Sequence, residues 1–554
     1  MRGIGGVVRV LALGAAIAAS GCGFTGDATA RPGAWLVMNT LAEPGQLDPA
    51  LVTAVEDQRL NLALFEGLVG YHPETLAPVP GVAEHWTRSE DGLEYRFRLR
   101  ADARWSDGRT LDATDFVWSW RRVLTPPGRE DPEIARPVAS SYAELLFDIA
   151  GAEAFYRGEL DDFAAVGIRA VSPRELVVRL ARPTPWFLEL LAFPTFSPVP
   201  RHVADRLGPT WTRAGNLVGN GAFVLAERRV GDLVRVERNP RYWDREAVGL
   251  DGIVYYTTDQ IDTALDQYLA GETDWVRGFN PKKVRAWRAD PELSRALRAP
   301  EYLGTYFYRL NCVRGPTRDP RVRRALSLAV DRGALTRHVT GLGEAPAHGL
   351  VPACLARTSP WTVLDAATGT GFDPERARSE LAAAGFPGGR GFPTLTLAYN
   401  TDVKNRAIAE AVQQMWKREL GIAVELENRE KRVHLALERA LDYEISRGSW
   451  VGDFADPVTF LDFMVGGRAN NRTGWENPRF DALVERSRAE TDPEARRRLL
   501  QEAERILVVE DAALLPLFAF RTPSVLRPGR FVGIHENARD LHPPKYIRLA
   551  EAGR

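Results

Sequence analysis

LTLAYNTDVKNRAIAEAVQQMWKRELGIAVEL, residues Leu395 to Leu426, switches between two kinds of regular structure within one short stretch. Leu395 to Tyr399 is an apolar run with the length and composition of a strand. Ile408, Ala411, Val412 and Met415 follow at helical spacing, so one face of a helix is apolar. Ile422 to Leu426 reads as another strand. Strand, helix and strand in succession predict an α/β lobe, and the same alternation extends over residues 305–430.

Working outward, one device for starting helices recurs. Asp319-Pro320, Asp373-Pro374 and Asp492-Pro493 each place a carboxylate at the cap and proline at the first helical position, whose N–H needs no partner. Val322, Leu326, Ala329 and Val330 keep an apolar stripe after the first. Leu499, Leu500, Ala503, Ile506 and Leu507 do so after the last. Gly385 is a stop for the second. Nearer the N-terminus, Leu93, Tyr95, Phe97 and Leu99 alternate with polar residues, which predicts a strand with one buried face. A turn at Trp105-Ser106-Asp107-Gly108 follows, then an aromatic-rich helical stretch from Asp115 to Val123.

A chain of 554 residues exceeds one hydrophobic core, so two or three domains are expected. Lys and Arg total 72 against 73 Asp and Glu, which leaves no footprint for nucleic acid. The histidines form no HExxH or other close ligand pair, so no metal site is expected. No GxSxG elbow or P-loop occurs. Gly219-Asn220-Gly221 reads as a turn. Gly369-Thr370-Gly371 has no third glycine and no preceding strand, so it is not a dinucleotide fingerprint. No cofactor is expected, and a peptidase or hydrolase reading is disfavoured.

The N-terminus sets the compartment. Arg2 and Arg9 precede an apolar run, Val10 to Ala19, too short for a membrane span of about 20 residues. Ala19-Ser20-Gly21-Cys22 then looks like a lipobox, although Ala19 stands where such motifs usually have Leu. Residues 1–22 are therefore expected to be a lipoprotein signal, with lipid on Cys22 and the protein held outside the cytoplasm. Residues 23–34 are small and polar, a flexible tether. Two cysteines remain, Cys312 and Cys354. An even pair in an oxidising compartment favours a disulfide, the alternative being two separate buried thiols.

Several blocks then resemble one family in order. Glu43-Pro44-Gly45-Gln46-Leu47-Asp48-Pro49, Leu64-Phe65-Glu66-Gly67-Leu68 and Pro80-Gly81-Val82-Ala83-Glu84-His85-Trp86 open the series. Trp105-Ser106-Asp107-Gly108 through Asp115-Phe116-Val117-Trp118-Ser119-Trp120 follows. Asn220-Gly221-Ala222-Phe223, Glu237 to Trp243, Arg321 to Leu326, Tyr399-Asn400-Thr401 and Leu420-Gly421-Ile422 continue it. The match runs from Leu36 to the C-terminus. It resembles family 5 solute-binding proteins, the peptide receptors of ABC importers, and most of all their oligopeptide-binding branch.

The resemblance implies an α/β fold of the type II periplasmic-binding-protein kind, two lobes with a hinge plus an inserted extra domain. Domain I would comprise residues 35–64, 196–303 and 516–554. Domain II would be inserted at 65–195, and domain III, the second ligand-binding lobe, would span 304–515. Short peptides and the transporter's permease subunits are the implied partners, with a monomer tethered to the membrane by its lipid. A sensor without a permease, or a receptor for a dipeptide, glycopeptide or non-peptide amine, would share these features.

A peptide brings an ammonium, a carboxylate and a backbone that must keep its hydrogen bonds when buried. The segment Arg447-Gly448-Ser449-Trp450-Val451-Gly452-Asp453 resembles the family block that meets these needs. Asp453 matches the family aspartate that pairs with the α-ammonium. Trp450 matches a pocket aromatic, Val451 and Gly452 would offer main-chain groups, and Arg447 matches a basic residue for the peptide carboxylate. Arg439 is a second basic candidate, one residue out of step with the family spacing. Asn405, beside Lys404, takes the position of a basic carboxylate contact and cannot supply the charge. Val52, Thr53, Ala54 and Val55 match an edge segment that pairs with peptide backbone. Thr53 stands where a relative has Glu. Tyr142 is placed at the cleft. A cysteine pair found in some relatives would fall at Gly304 and Val451.

Overall fold

The computed structural model describes residues 33–357 and 361–551. The signal stretch with Cys22, and the tether up to Pro32, lie outside the described residues.

The stretch from Leu395 folds as read. Strands Leu395–Asn400 and Val424–Arg429 run parallel in unbroken register, and helix Val403–Leu420 joins them. Asp402 caps that helix by accepting from the Asn405 N–H, and Gly421 ends it at φ 69°, where a side chain would be strained. Ile408 and Val412 are fully buried, each contributing about 1.5–3 kcal/mol. Trp416 on the same face donates from Nε1 to the Leu326 carbonyl at 2.8 Å, which fixes the helix against helix Pro320–Leu328. The Asp-Pro starts cap as expected: Asp319, Asp373 and Asp492 each accept a first-turn N–H.

These strands belong to a five-stranded sheet ordered Val424–Arg429, Leu395–Asn400, Ile445–Val451, Glu301–Leu310, Leu514–Arg521. Gly304 and Val451 lie opposite each other in it. A second, seven-stranded sheet is drawn from distant parts of the chain. Its order is Leu297–Arg298, Ser524–Leu526, Trp275–Val276, Trp35–Asn39, Gly252–Tyr256, Leu233–Arg238, Phe223–Arg229. Trp35–Asn39 is parallel to both of its neighbours, and the other pairs are antiparallel.

Two chain segments cross between the sheets side by side. Arg298 pairs with Ser524 in one sheet, Glu301 with Arg521 in the other, and the Thr522 N–H donates to the Pro300 carbonyl at 3.1 Å between them. This double crossover joins the two sheets at the place of the hinge that the resemblance implies. The expected boundaries at 303/304 and 515/516 cut the paired strands Glu301–Leu310 and Leu514–Arg521, so both strands stay with the second lobe.

A four-stranded antiparallel sheet, Ala83–Arg88, Glu94–Leu99, Glu175–Arg179, Ile168–Ser172, forms the inserted unit. Tyr95, Phe97 and Leu99 face its core together with Phe116 and Trp120 of helix Ala113–Leu124. The unit is bound to the first lobe by a buried ion pair. Arg122 donates to both carboxylate oxygens of Asp48, at 3.1 and 2.7 Å, and Trp211 Nε1 adds a third bond at 3.1 Å.

The expected Cys312–Cys354 disulfide is not formed. Cys312 is a thiol whose Sγ donates to the Leu310 carbonyl at 3.3 Å, and Cys354 is a buried thiol in the turn Ala353–Arg357. The apolar setting of Cys312 pushes its pKa up to about 11, so it is a poor thiolate and packs as a small apolar group.

Candidate functional site

Strand Ile445–Val451 leaves one edge open. It pairs along its whole length with Glu301–Leu310, but with Leu395–Asn400 only at Ile445 and Ser446. The Gly452 N–H donates to the Leu303 carbonyl at 2.8 Å. Backbone groups alternate sides along an antiparallel strand, so Arg447, Ser449 and Val451 turn theirs to the open side. The Arg447 carbonyl is taken by His434 Nε2 at 3.0 Å. The N–H and C=O groups of Ser449 and Val451 have no partner among the described residues, and Val451 is 39% exposed. The Gly452 N–H is committed to the sheet, so of its main-chain groups only the carbonyl has no partner among the described residues. Its α-carbon lies so close to Leu303 that a β-carbon would meet Leu303 Cδ2 at 2.8 Å.

Asp453 stands at the end of that edge. Its N–H donates to Thr459 Oγ1 at 3.3 Å, and no described residue donates to its carboxylate. Its pKa is raised. Burial is the largest cause, the Arg539 guanidinium opposes it, and Glu144 adds to it. Tyr142, from the inserted unit, has its pKa raised, first by burial and then by the charge of Asp453. The Tyr142 ring is anchored edge-on against Phe193, centroids 4.9 Å apart.

The loop after Asp453 touches the inserted unit directly. Phe454 stacks on Trp186 at 5.6 Å with planes 9° apart. The Ala455 N–H donates to Glu189 Oε2 at 2.8 Å. Asp456 accepts two bonds from Arg496, at 2.7 and 2.8 Å, and the Arg496 guanidinium lies over the Trp186 ring. Burial raises Glu189 to about 7, despite its bond to the Ala455 N–H.

The remaining expected residues divide. Trp450 stacks on Phe463 at 4.3 Å and keeps a buried Nε1 without a partner, beside the open edge. Arg447 lies over the Tyr306 ring at 4.6 Å. The Tyr306 hydroxyl donates to Asn405 Oδ1 at 3.1 Å, and the Asn405 amide donates back to Asn400. Asn405 is therefore a buried brace behind Arg447 rather than an open contact. Lys404 is held by buried Glu344 at 3.0 Å. Arg439 is exposed at the end of helix Lys431–Arg439, while its neighbour Glu438 turns inward to Ser446 and Arg472. The structure does not bring Arg439 to this site. Val52 is buried with extended backbone, Thr53 and Ala54 are exposed, and Val55 begins helix Val55–Leu64. The backbone N–H and C=O of Thr53 are unpaired within the described chain.

Residues absent from the expectation complete the site. Arg539 is buried, donates to the Tyr71 hydroxyl at 3.0 Å and sets the field at Asp453. Neither residue sits in a local pattern that marks it. No group of three or more potential metal ligands occurs among the described residues, and none of their helices is long and apolar enough to cross a membrane.

The profile of Bacterial extracellular solute-binding proteins, family 5 Middle, matches residues 77–472. The periplasmic murein peptide-binding protein MppA of Escherichia coli is 34% identical over 507 residues, 89% of each chain. The periplasmic oligopeptide-binding protein OppA of the same organism is 32% identical over 502 residues, 89% of this chain and 88% of that one. The solved structure of the Escherichia coli murein tripeptide binding protein MppA superposes with a TM-score of 0.77 at 32% identity, covering 94% of this chain and 99% of that one. The double crossover, the inserted unit and the sequence likeness over nearly the whole length agree: this chain belongs to the bacterial extracellular solute-binding proteins of family 5.

Proposed function

We propose that this chain is the extracytoplasmic receptor of an ABC importer, capturing short peptides between its two lobes and delivering them to a membrane permease. The observation that carries this reading is Asp453: a largely desolvated carboxylate with no hydrogen-bond donor, at the end of an open strand edge. A peptide α-ammonium supplies the missing donor, and its backbone supplies the missing strand. Strand pairing does not depend on side chains, so binding tolerates varied sequences. Trp450, Tyr142 and Arg447 flank the site as contacts for ligand side chains and the far terminus. The chain performs no chemistry of its own and works as a monomer, held to the membrane by lipid on Cys22. Its first lobe comprises residues 35–64 and 196–300 with the C-terminal segment after Arg521, and residues 65–195 form the insert.

The test is a thermal-shift titration of the protein lacking residues 1–22, refolded to strip carried ligand. Tri- to pentapeptides are compared with the same peptides N-acetylated. A ligand bound only by the folded state raises the melting temperature by mass action. A rise that acetylation abolishes is expected. Equal rises would remove Asp453 from its role, and no rise would make peptides the wrong ligand class.

A further inference from the structure

A small, partly open cavity in the first lobe, separate from the cleft, has an unusual wall. Its volume is about 20 Å³, enough for one or two small species. Arg59, Arg277, Trp275 and His542 all line it. Each of the four carries a buried side-chain nitrogen with no partner: Arg59 Nε, Arg277 Nε and Nη1, Trp275 Nε1 and His542 Nδ1. Arg277 is almost wholly buried, with 1% of its side chain exposed. Tyr255 shares the wall, and its hydroxyl makes no hydrogen bond within the described chain.

The charges do not balance. Arg59 and Arg277 both bind one carboxylate, Asp540, with His542 Nε2 3.0 Å from its other oxygen. His542 is held neutral, down to about 4, chiefly by burial. The other nearby carboxylate, Asp274, accepts the Val37 N–H and lies 3.3 Å from Arg530. Two guanidiniums against one carboxylate leave the cavity with one excess positive charge. Burial and the neighbouring Arg59 also lower Arg277, to about 10.

We propose that this cavity binds a small monovalent anion, a halide, which accepts from the Arg59, Arg277 and Trp275 N–H groups and neutralises the excess charge. A water molecule matches the wall less well. It is neutral and leaves the excess charge in place, and the wall's unpartnered groups are mostly donors: four N–H atoms of Arg59, Arg277 and Trp275 against His542 Nδ1 and the Tyr255 hydroxyl oxygen as acceptors. A halide only accepts. The ion joins the first strand, helix Val55–Leu64 and the C-terminal segment around Asp540.

The experiment compares the full chain in sodium gluconate, chloride and bromide at matched ionic strength. Crystals grown in bromide are measured at the bromine absorption edge. Expected are a melting-temperature rise of about 1–3 °C that saturates with either halide, and an anomalous peak within hydrogen-bond distance of Arg277. The Arg59→Gln variant, which removes the excess charge at the partly exposed member, is expected to fold and lose the halide-dependent rise. A cavity without an anomalous peak would overturn the proposal, as would an anomalous peak with no shift in solution or an unchanged rise in Arg59→Gln.

Discussion

Replacing Asp453 by Asn should move ligand affinity and the stability of the unliganded protein in opposite directions. The Asp453 carboxylate is already desolvated and accepts no hydrogen bond, so binding an ammonium adds no further dehydration on the protein side. Two unit charges about 4 Å apart at an effective dielectric near 20 attract by about 4 kcal/mol. Arg539 already balances part of the charge, which places the loss at about 2–4 kcal/mol, a weakening of about 30- to 700-fold. Without ligand the sign reverses. Burial raises the Asp453 pKa, so its ionised form costs stability at pH 7, and the neutral amide relieves that cost. Calorimetric titration of wild type and Asp453→Asn with free and N-acetylated peptide closes a four-way cycle. Acetylation should weaken wild type strongly and leave the variant nearly unaffected. An equal effect of acetylation on both proteins, or a lower melting temperature of the unliganded variant, would refute the reasoning.

Other consequences are independent. Glu189 has a folded pKa raised to about 7, so it stays protonated in the folded protein where the unfolded chain has released its proton. Stability should therefore rise as pH falls from 7 towards 4.5, and Glu189→Gln should flatten that slope by about 1–3 kcal/mol after solvent screening, read from urea unfolding at pH 5 and 8. Glu504, raised to about 7, and Asp115, raised to about 6, keep part of the slope in the variant. Arg122→Ala strands Asp48 in the seam between lobe and insert and should cost about 3–5 kcal/mol in urea unfolding; a loss below 1 kcal/mol would contradict the seam's role. Reductant should leave the melting temperature of the protein lacking residues 1–22 unchanged, and denatured thiol titration should find both Cys312 and Cys354 reactive; a drop with reductant would mean they are bridged.

Local rules read the local structure well. Asp-Pro marks helix starts because cap and first turn are set by adjacent residues, and the alternation through Tyr95, Phe97 and Leu99 marks one buried face. The stripe on helix Val403–Leu420 was legible for the same reason, although Ala411 is only partly buried and Trp416 lies in its place at the core. The seven-stranded sheet was not legible. Two- to seven-residue strands from opposite ends of the chain meet there, and pairing partners are chosen by the packed whole. The cysteines failed for a related reason: an even count says nothing about whether two sulfurs face each other. At the site, the run from Arg447 to Asp453 was visible as a contiguous block. Arg539, Tyr71 and Glu189 were not, because each acts through a neighbour supplied by tertiary structure. Asn405 was singled out by its place in the chain, but its amide is consumed by Tyr306 and Asn400, which sequence does not show.

The unpaired groups of Ser449 and Val451 carry a liability as well as a use. An open strand edge templates any extended chain, including a second copy of the same protein or one not yet folded. Natural proteins blunt such edges with lysine, proline or a bulge, and under the proposed function this one cannot do so without losing its peptide-pairing edge. On the proposed function, a bound peptide would cover it, which leaves the unoccupied receptor as the form most prone to self-association. Ligand supply would then govern colloidal behaviour as well as transport, so that a starved receptor is a stickier one.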